Sequence, residues 1–146
     1  MSQHSVSARP WVREADYDLM ASWWRAVGVE PMPVDCFSPD GCVALVDGKP
    51  AAMSFCYRTG SRVAWVAFTV ACPEVKARSR LAAIETAIGG AISLARDHVG
   101  QGGFIWSMTD HPTLQRIYVE RLGFTASSLA GNYVIAGQDV PTGMLI

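Results

Sequence analysis

The 146-residue sequence predicts an α/β domain (α+β in its layering) on a mixed central sheet: an antiparallel meander followed by β-α-β-α-β, with helices on both faces. Three observations predict it. Three apolar runs, Cys42–Val46, Ala51–Tyr57 and Val63–Val70, follow one another with turn signals between them. Apolar residues then recur every three or four positions from Leu81 to Val99, which marks one long helix. Strand-like and helix-like segments alternate after it, and a long helix between such strands makes a right-handed crossover to a parallel neighbour.

Taken in order, residues 1–10 are polar and lack the apolar core of a signal peptide, so they read as a flexible N-terminal tail, with residues 11–146 as a single domain. Trp11–Glu14 reads as a short strand. Asp16 then stands as the N-cap of a helix to about Val27, with Leu19, Met20, Trp23, Trp24 and Val27 at helical spacing. Gly28 stops it, and Pro31, Pro33 and Pro39 mark a loop with room for one helical turn. Asp47-Gly48 is a two-residue hairpin signal and Thr59-Gly60-Ser61 a second turn. Val63–Val70 is apolar on both faces, as a central strand is. Gly89-Gly90 costs the long helix about 2 kcal/mol of propensity against alanine, which points to close packing on the sheet. Phe104–Met108 is the next strand, and Asp110-His111-Pro112 opens a helix carrying Leu114, Ile117, Tyr118 and Leu122. Gly123 ends it. Ala126–Leu129 and Tyr133–Ala136, around Gly131-Asn132, form a final hairpin.

Composition narrows the function. Half of the residues are hydrophobic and 17% are charged, so burial is extensive, and with the C-terminal strands this allows a homodimer. A net charge of −1 argues against a nucleic-acid binder working by bulk charge, so any anion site is local. Cys36, Cys42, Cys56 and Cys72 form no C-x-x-C pair, and no histidine pair has zinc-ligand spacing. Free thiols in a reducing cytoplasm, without a metal, are the expectation; disulfides or a metal site are the lesser reading. No apolar run approaches the length of a membrane span.

Two segments carry a family resemblance. Val70-Ala71-Cys72-Pro73-Glu74 runs from the central strand into the long helix, and Arg116–Phe124 places Tyr118 on a helix ahead of the Gly123-Phe124 turn into strand. On these the chain resembles the GNAT N-acetyltransferase superfamily over roughly residues 11–136. Trp23-Trp24 followed by Gly28-Val29-Glu30-Pro31 further resembles small GNAT-like proteins of bacteria and phages. The family's CoA loop usually reads Q/R-x-x-G-x-G/A. This chain has Lys76-Ala77-Arg78-Ser79-Arg80-Leu81, with Ser79 and Leu81 in the glycine places.

The resemblance implies transfer of an acetyl group from acetyl-CoA to an amine on a small molecule or protein. The alternative it leaves is a catalytically degenerate binding protein on the same fold. It implies that Lys76, Arg78, Ser79 and Arg80, at a helix start whose free N–H groups attract anions, cradle the pyrophosphate. Cations there oppose the helix dipole, and an anion would remove the conflict; the competing reading is solvated surface charge. It implies that the pantetheine arm pairs along Phe68, Thr69 and Val70, and that Tyr118 protonates the leaving thiolate. A tyrosine packed with Ile117 and Leu122 is the competing reading of Tyr118. Trp24, Met32 and Phe37 are candidates to line an acceptor pocket, against a plain core role. For a general base, Val63–Val70 holds no Asp, Glu or His; Glu30, Asp35, Asp110 and His111 are the candidates, and Asp110 is equally a helix cap.

Overall fold

The computed structural model describes residues 4–130 and 133–138. Its strands are β1 (Val6–Pro10), β2 (Gly41–Val46), β3 (Lys49–Arg58), β4 (Val63–Ala71), β5 (Phe104–Thr109), β6 (Thr125–Ala130) and β7 (Tyr133–Gln138). The helices are α1 (Arg13–Ala26), α2 (Ala77–Val99) and α3 (Pro112–Arg116), and α3 continues in a wide π-type turn, Ile117–Arg121. One mixed sheet runs in the order β1-β2-β3-β4-β5-β7-β6, with β4 and β5 its parallel pair. This is the predicted architecture, with helices on both faces. The final hairpin's strands are present; its Gly131-Asn132 turn lies outside the described residues.

The chain start departs from expectation. Val6–Pro10 is a strand and not a flexible tail, pairing antiparallel with β2 from Val6 opposite Val46 to Pro10 opposite Cys42. Its sequence is polar because an outer strand needs only backbone partners, and polar side chains suit an exposed edge. Asp47 ties down the residues before it, contacting His4 Nδ1 at 2.5 Å and accepting from the Ser5 N–H at 3.1 Å. Trp11–Glu14 is accordingly not a strand, since α1 begins at Arg13. Nor is Asp16 the N-cap; Val12 is. Asp16 sits one turn inside, where its carboxylate accepts from the Val12 N–H and from both terminal nitrogens of Arg9, each at 2.8 Å. One side chain thus joins β1 to the start of α1. The Arg9 guanidinium holds the Asp16 carboxyl below the usual range.

α2 and α3 cover one face of the sheet. Ile88, Ala91, Ile92 and Ala95 pack there with Val66, Ile105, Ile117 and Tyr118. Ala83 and Ala87 meet Ala44, Ala51 and Ala52, and so many small side chains let helix and strands come close. On the other face α1 and the loop 29–40 bury Met20, Trp23, Phe37, Val43, Met53 and Phe55. Among the described residues, no helix is long and apolar enough to cross a membrane.

Candidate active site

β4 makes the site by leaving regular pairing twice. Met53 faces Val70 and Phe55 faces Ala67, so Phe68 and Thr69 together oppose Ser54. This is a bulge, and Phe68 takes a left-handed backbone with φ 56° to make it. On its other side β4 pairs with β5 at only Val63–Phe104, Ala64–Ile105 and Trp65–Trp106. Beyond Trp65 the strands diverge, and the β5-facing backbone of β4 has no strand partner among the described residues.

The divergence opens a cleft of about 650 Å³, lined by Thr69, Val70 and Ala71 of β4, Arg80 and Leu81 of α2, and Arg116 of α3. A narrower cleft of about 210 Å³ is lined by Phe68, Ser107, Asp110 and Tyr118. Thr69 and Leu114 line both, so the two adjoin.

Tyr118 lies in the π-type turn, packed on Phe124 with ring centroids 5.0 Å apart. Burial pushes its phenol up to about 12, opposed in part by hydrogen bonds with the Ser107 and Thr69 side chains. At neutral pH it is therefore a protonated donor. Thr69 Oγ1 also meets Ser54 Oγ at 2.9 Å, under the bulge. Ser54 and Ser107, both buried, escaped the sequence reading. Each is a hydroxyl within an apolar strand, the pattern that marks a buried polar group needing a partner.

Of the four residues expected to cradle phosphate, Arg80 lines the larger cleft, its Nη1 donating to the Val75 carbonyl at 3.3 Å. Lys76 caps α2 and is exposed, as is Arg78; Ser79 is half-buried, and none of these three lines the cleft. Arg116 enters from the opposite wall; nothing in its sequence neighbourhood announces this, because α3 brings it there. His111 is the cap of α3, its Nδ1 accepting from the Thr113 N–H at 3.3 Å. In the neutral ring the proton is then on Nε2, so His111 offers a donor and no free base. Asp110 is not the cap, and it remains on the wall of the narrower cleft.

The three acceptor candidates part company. Trp24 is half-buried, 6.0 Å from the Phe68 ring. Met32 is half-buried, its carbonyl accepting from the Tyr17 hydroxyl at 2.6 Å. Phe37 is 1% exposed and lies among Trp11, Tyr17, Trp24, Phe55 and Phe68, so it presents no surface to a ligand and belongs to the core.

No protein-family model matches the chain, and no curated protein matches it in sequence. Solved structures do. The chain is similar to YncA of Salmonella typhimurium, a putative acetyltransferase solved with its cofactor acetyl-CoA, at TM-score 0.67, 9% identity and 96% coverage of both chains. It is similar to the diaminobutyrate acetyltransferase EctA of Paenibacillus lautus, solved with diaminobutyric acid and coenzyme A, at TM-score 0.65 and 10% identity, covering 94% of this chain and 97% of that one. The GNAT domain of S. lividans PAT gives TM-score 0.65 and 14% identity, covering 92% of this chain and 96% of that one. At these identities the likeness is one of fold, and the fold is that of GNAT acetyltransferases.

Proposed function

We propose that this protein is an N-acetyltransferase that moves an acetyl group from acetyl-CoA to an amine on a small-molecule or protein acceptor. The observation that carries it is the opening between β4 and β5, with a buried proton donor, Tyr118, on one wall and Arg80 and Arg116 at its wider end. Solved relatives of the same fold that hold acetyl-CoA or coenzyme A add support.

The residues fit such a co-substrate. The β5-facing backbone around Phe68, Thr69 and Val70, without a strand partner among the described residues, offers donors and acceptors to a pantetheine arm in the manner of a neighbouring strand. Arg80 and Arg116 suit phosphate, which a guanidinium grips with two parallel hydrogen bonds. Lys76 and Arg78 add positive potential outside the cleft, and Ser79 contributes the free amide of a first helical turn. Without the family's glycines the backbone approaches the pyrophosphate less closely, so the arginines take a larger share.

In the transfer step the neutral amine nitrogen attacks the thioester carbonyl carbon. The C–N bond forms, the C–S bond breaks, and Tyr118 gives its proton to the departing sulfur. The proton released by the amine passes to Asp110 or to water. Holding the two reactants together supplies much of the acceleration. A binding protein that has lost the chemistry is the second reading, favoured by the absent glycines and by a β4 without any carboxylate.

Thermal unfolding with and without acetyl-CoA separates the two. At a hundredfold excess over Kd, binding stabilises the fold by about 2.7 kcal/mol. No shift at millimolar acetyl-CoA overturns the transferase reading. A shift with no thiol release across an amine panel leaves the binding protein. Where thiol release is seen, Tyr118→Phe should lower it while leaving the acetyl-CoA shift in place.

A further inference from the structure

Tyr57 on β3, Trp65 on β4 and Trp106 on β5 are register partners across three neighbouring strands. Their rings form one row: Tyr57 and Trp65 lie 5.3 Å apart between centroids, and Trp65 and Trp106 lie 5.2 Å apart with planes only 11° from parallel. Phe68 joins the row at 5.2 Å from Trp65, its ring placed by the bulge. All four rings are half-buried, so each keeps open surface. The row lies on the face away from α2, because Ala64 and Val66 on either side of Trp65 pack into the core under that helix. The next position in the row, on β7, is Gly137, which adds no side chain to cover Trp106.

The row ends at the transfer site. Phe68 and Met108, the latter 46% exposed, belong to the wall of the narrower cleft that also holds Tyr118. The indole N–H of Trp65 is buried and has no hydrogen-bond partner among the described residues. Among the described residues, the arginines beside Tyr57 are already matched by carboxylates: Arg58 pairs with Asp40 at 2.9 Å and Arg13 with Glu14 at 3.4 Å. This edge of the site is therefore rich in aromatic surface, and its described arginines are paired.

We infer that the acceptor is an amine carried on a flat aromatic body, seated against Tyr57, Trp65 and Trp106 with its amino group directed past Phe68 toward Tyr118. The inference rests on the transferase reading and names its substrate class. Because Trp65 and Trp106 stack on each other, a flat body meets the exposed edges of the row, the edge-to-face contact that aromatic rings favour. Loss of water against these rings favours the neutral form of the amine, and the ammonium proton passes to solvent or to Asp110 before the nitrogen attacks.

The test has two arms on the full chain. In the first, 2-phenylethylamine and tryptamine are compared with 1,4-diaminobutane and glutamate as acceptors, by thiol release from acetyl-CoA. The aromatic amines should have kcat/KM at least about tenfold higher. Trp106→Leu should raise their KM by about tenfold, while Trp106→Phe restores it and neither variant changes the acetyl-CoA thermal shift. Equal kcat/KM across the four amines, or a Trp106→Leu variant that folds and keeps the original KM, overturns the inference. The second arm needs no chemistry: calorimetric titration of 2-phenylethylamine and 1,4-diaminobutane into the protein, with and without coenzyme A. Selective heat from the aromatic amine, lost in Trp106→Leu, supports the row as its seat. No selectivity in either condition overturns it. Failure of acetyl-CoA to bind would sink the transferase reading alone, and the calorimetry would still decide the row.

Discussion

Ser54 and Thr69 share a 2.9 Å hydrogen bond between their hydroxyls at the point where β4 carries an extra residue. Thr69 also reaches Tyr118, which reaches Ser107. A backbone irregularity and the Tyr118 phenol are thus joined through one set of hydroxyls, of which those of Ser54, Ser107 and Tyr118 belong to buried residues.

Removing Thr69 from that set should be costly for its size. Thr69→Val keeps the shape but leaves the fully buried Ser54 hydroxyl without this partner, an expected loss of about 1–3 kcal/mol in urea unfolding. Thr69→Ser should lose little. Adding Ser54→Ala to Thr69→Val should cost less than the sum of the two single changes, since both hydroxyls of the bond are then gone. Strict additivity would show that the bond contributes nothing.

Tyr118 should make stability fall at high pH. Below pH 10 the phenol is protonated in the folded and unfolded chains alike, so it adds no pH dependence. Above pH 10 the unfolded chain releases the proton, while the folded one keeps it until about 12. Stability should drop across that window by up to about 3 kcal/mol. Urea midpoints of the wild type and Tyr118→Phe, measured at pH 9 and pH 11, isolate the effect: the difference between the two proteins should shift in favour of the phenylalanine variant at the higher pH.

The neighbouring glycines of α2 should respond with opposite signs. A Cβ at Gly90 would lie 2.3 Å from Cys42 Sγ and 2.7 Å from Cys42 Cβ, whereas one at Gly89 meets nothing within 4 Å. Gly90→Ala should destabilise by about 1–3 kcal/mol through overpacking. Gly89→Ala should stabilise by about 0.5–1 kcal/mol through helix propensity. Thermal or urea unfolding of the two variants checks both signs.

Charge removal should separate cleft arginines from rim arginines. Arg80→Gln and Arg116→Gln should each weaken coenzyme A binding by about tenfold or more, as expected for a lost charge-assisted bond. Arg78→Gln, off the cleft lining, should weaken it by less than about threefold, and that loss should vanish at high salt. Calorimetric titration at two salt concentrations distinguishes these cases. Equal effects at all three positions would move the phosphate site out onto the loop.

The order of strands and helices was legible because β2, β3, β4 and α2 bury apolar residues in regular periods. β1 was not, because an edge strand is specified by backbone pairing and its residues are polar. Phe37 misled because it stands among prolines that signal an exposed loop. Here the loop is sealed to the sheet: Trp11 Nε1 donates to the Ser38 carbonyl at 3.1 Å, and Ser38 Oγ donates to the Cys56 carbonyl at 2.6 Å. Tyr118 was visible only through family resemblance, since its period on the helix is that of any core residue. The bulge at Phe68 leaves no trace in composition, and Arg116 gains its place from tertiary packing. Arg80 was singled out at a helix start through the family resemblance, and it lies on the wall of the larger cleft.

Among the described residues, the three register pairs between β4 and β5 are also where two antiparallel units, β1–β4 and β5–β7–β6, meet in the sheet. A guest bound along the open part of that seam would touch both units at once, and would lengthen a joint the chain itself closes over only three positions. Ligand occupancy should therefore reinforce, along the open edge, the attachment of the two halves that α2 already spans.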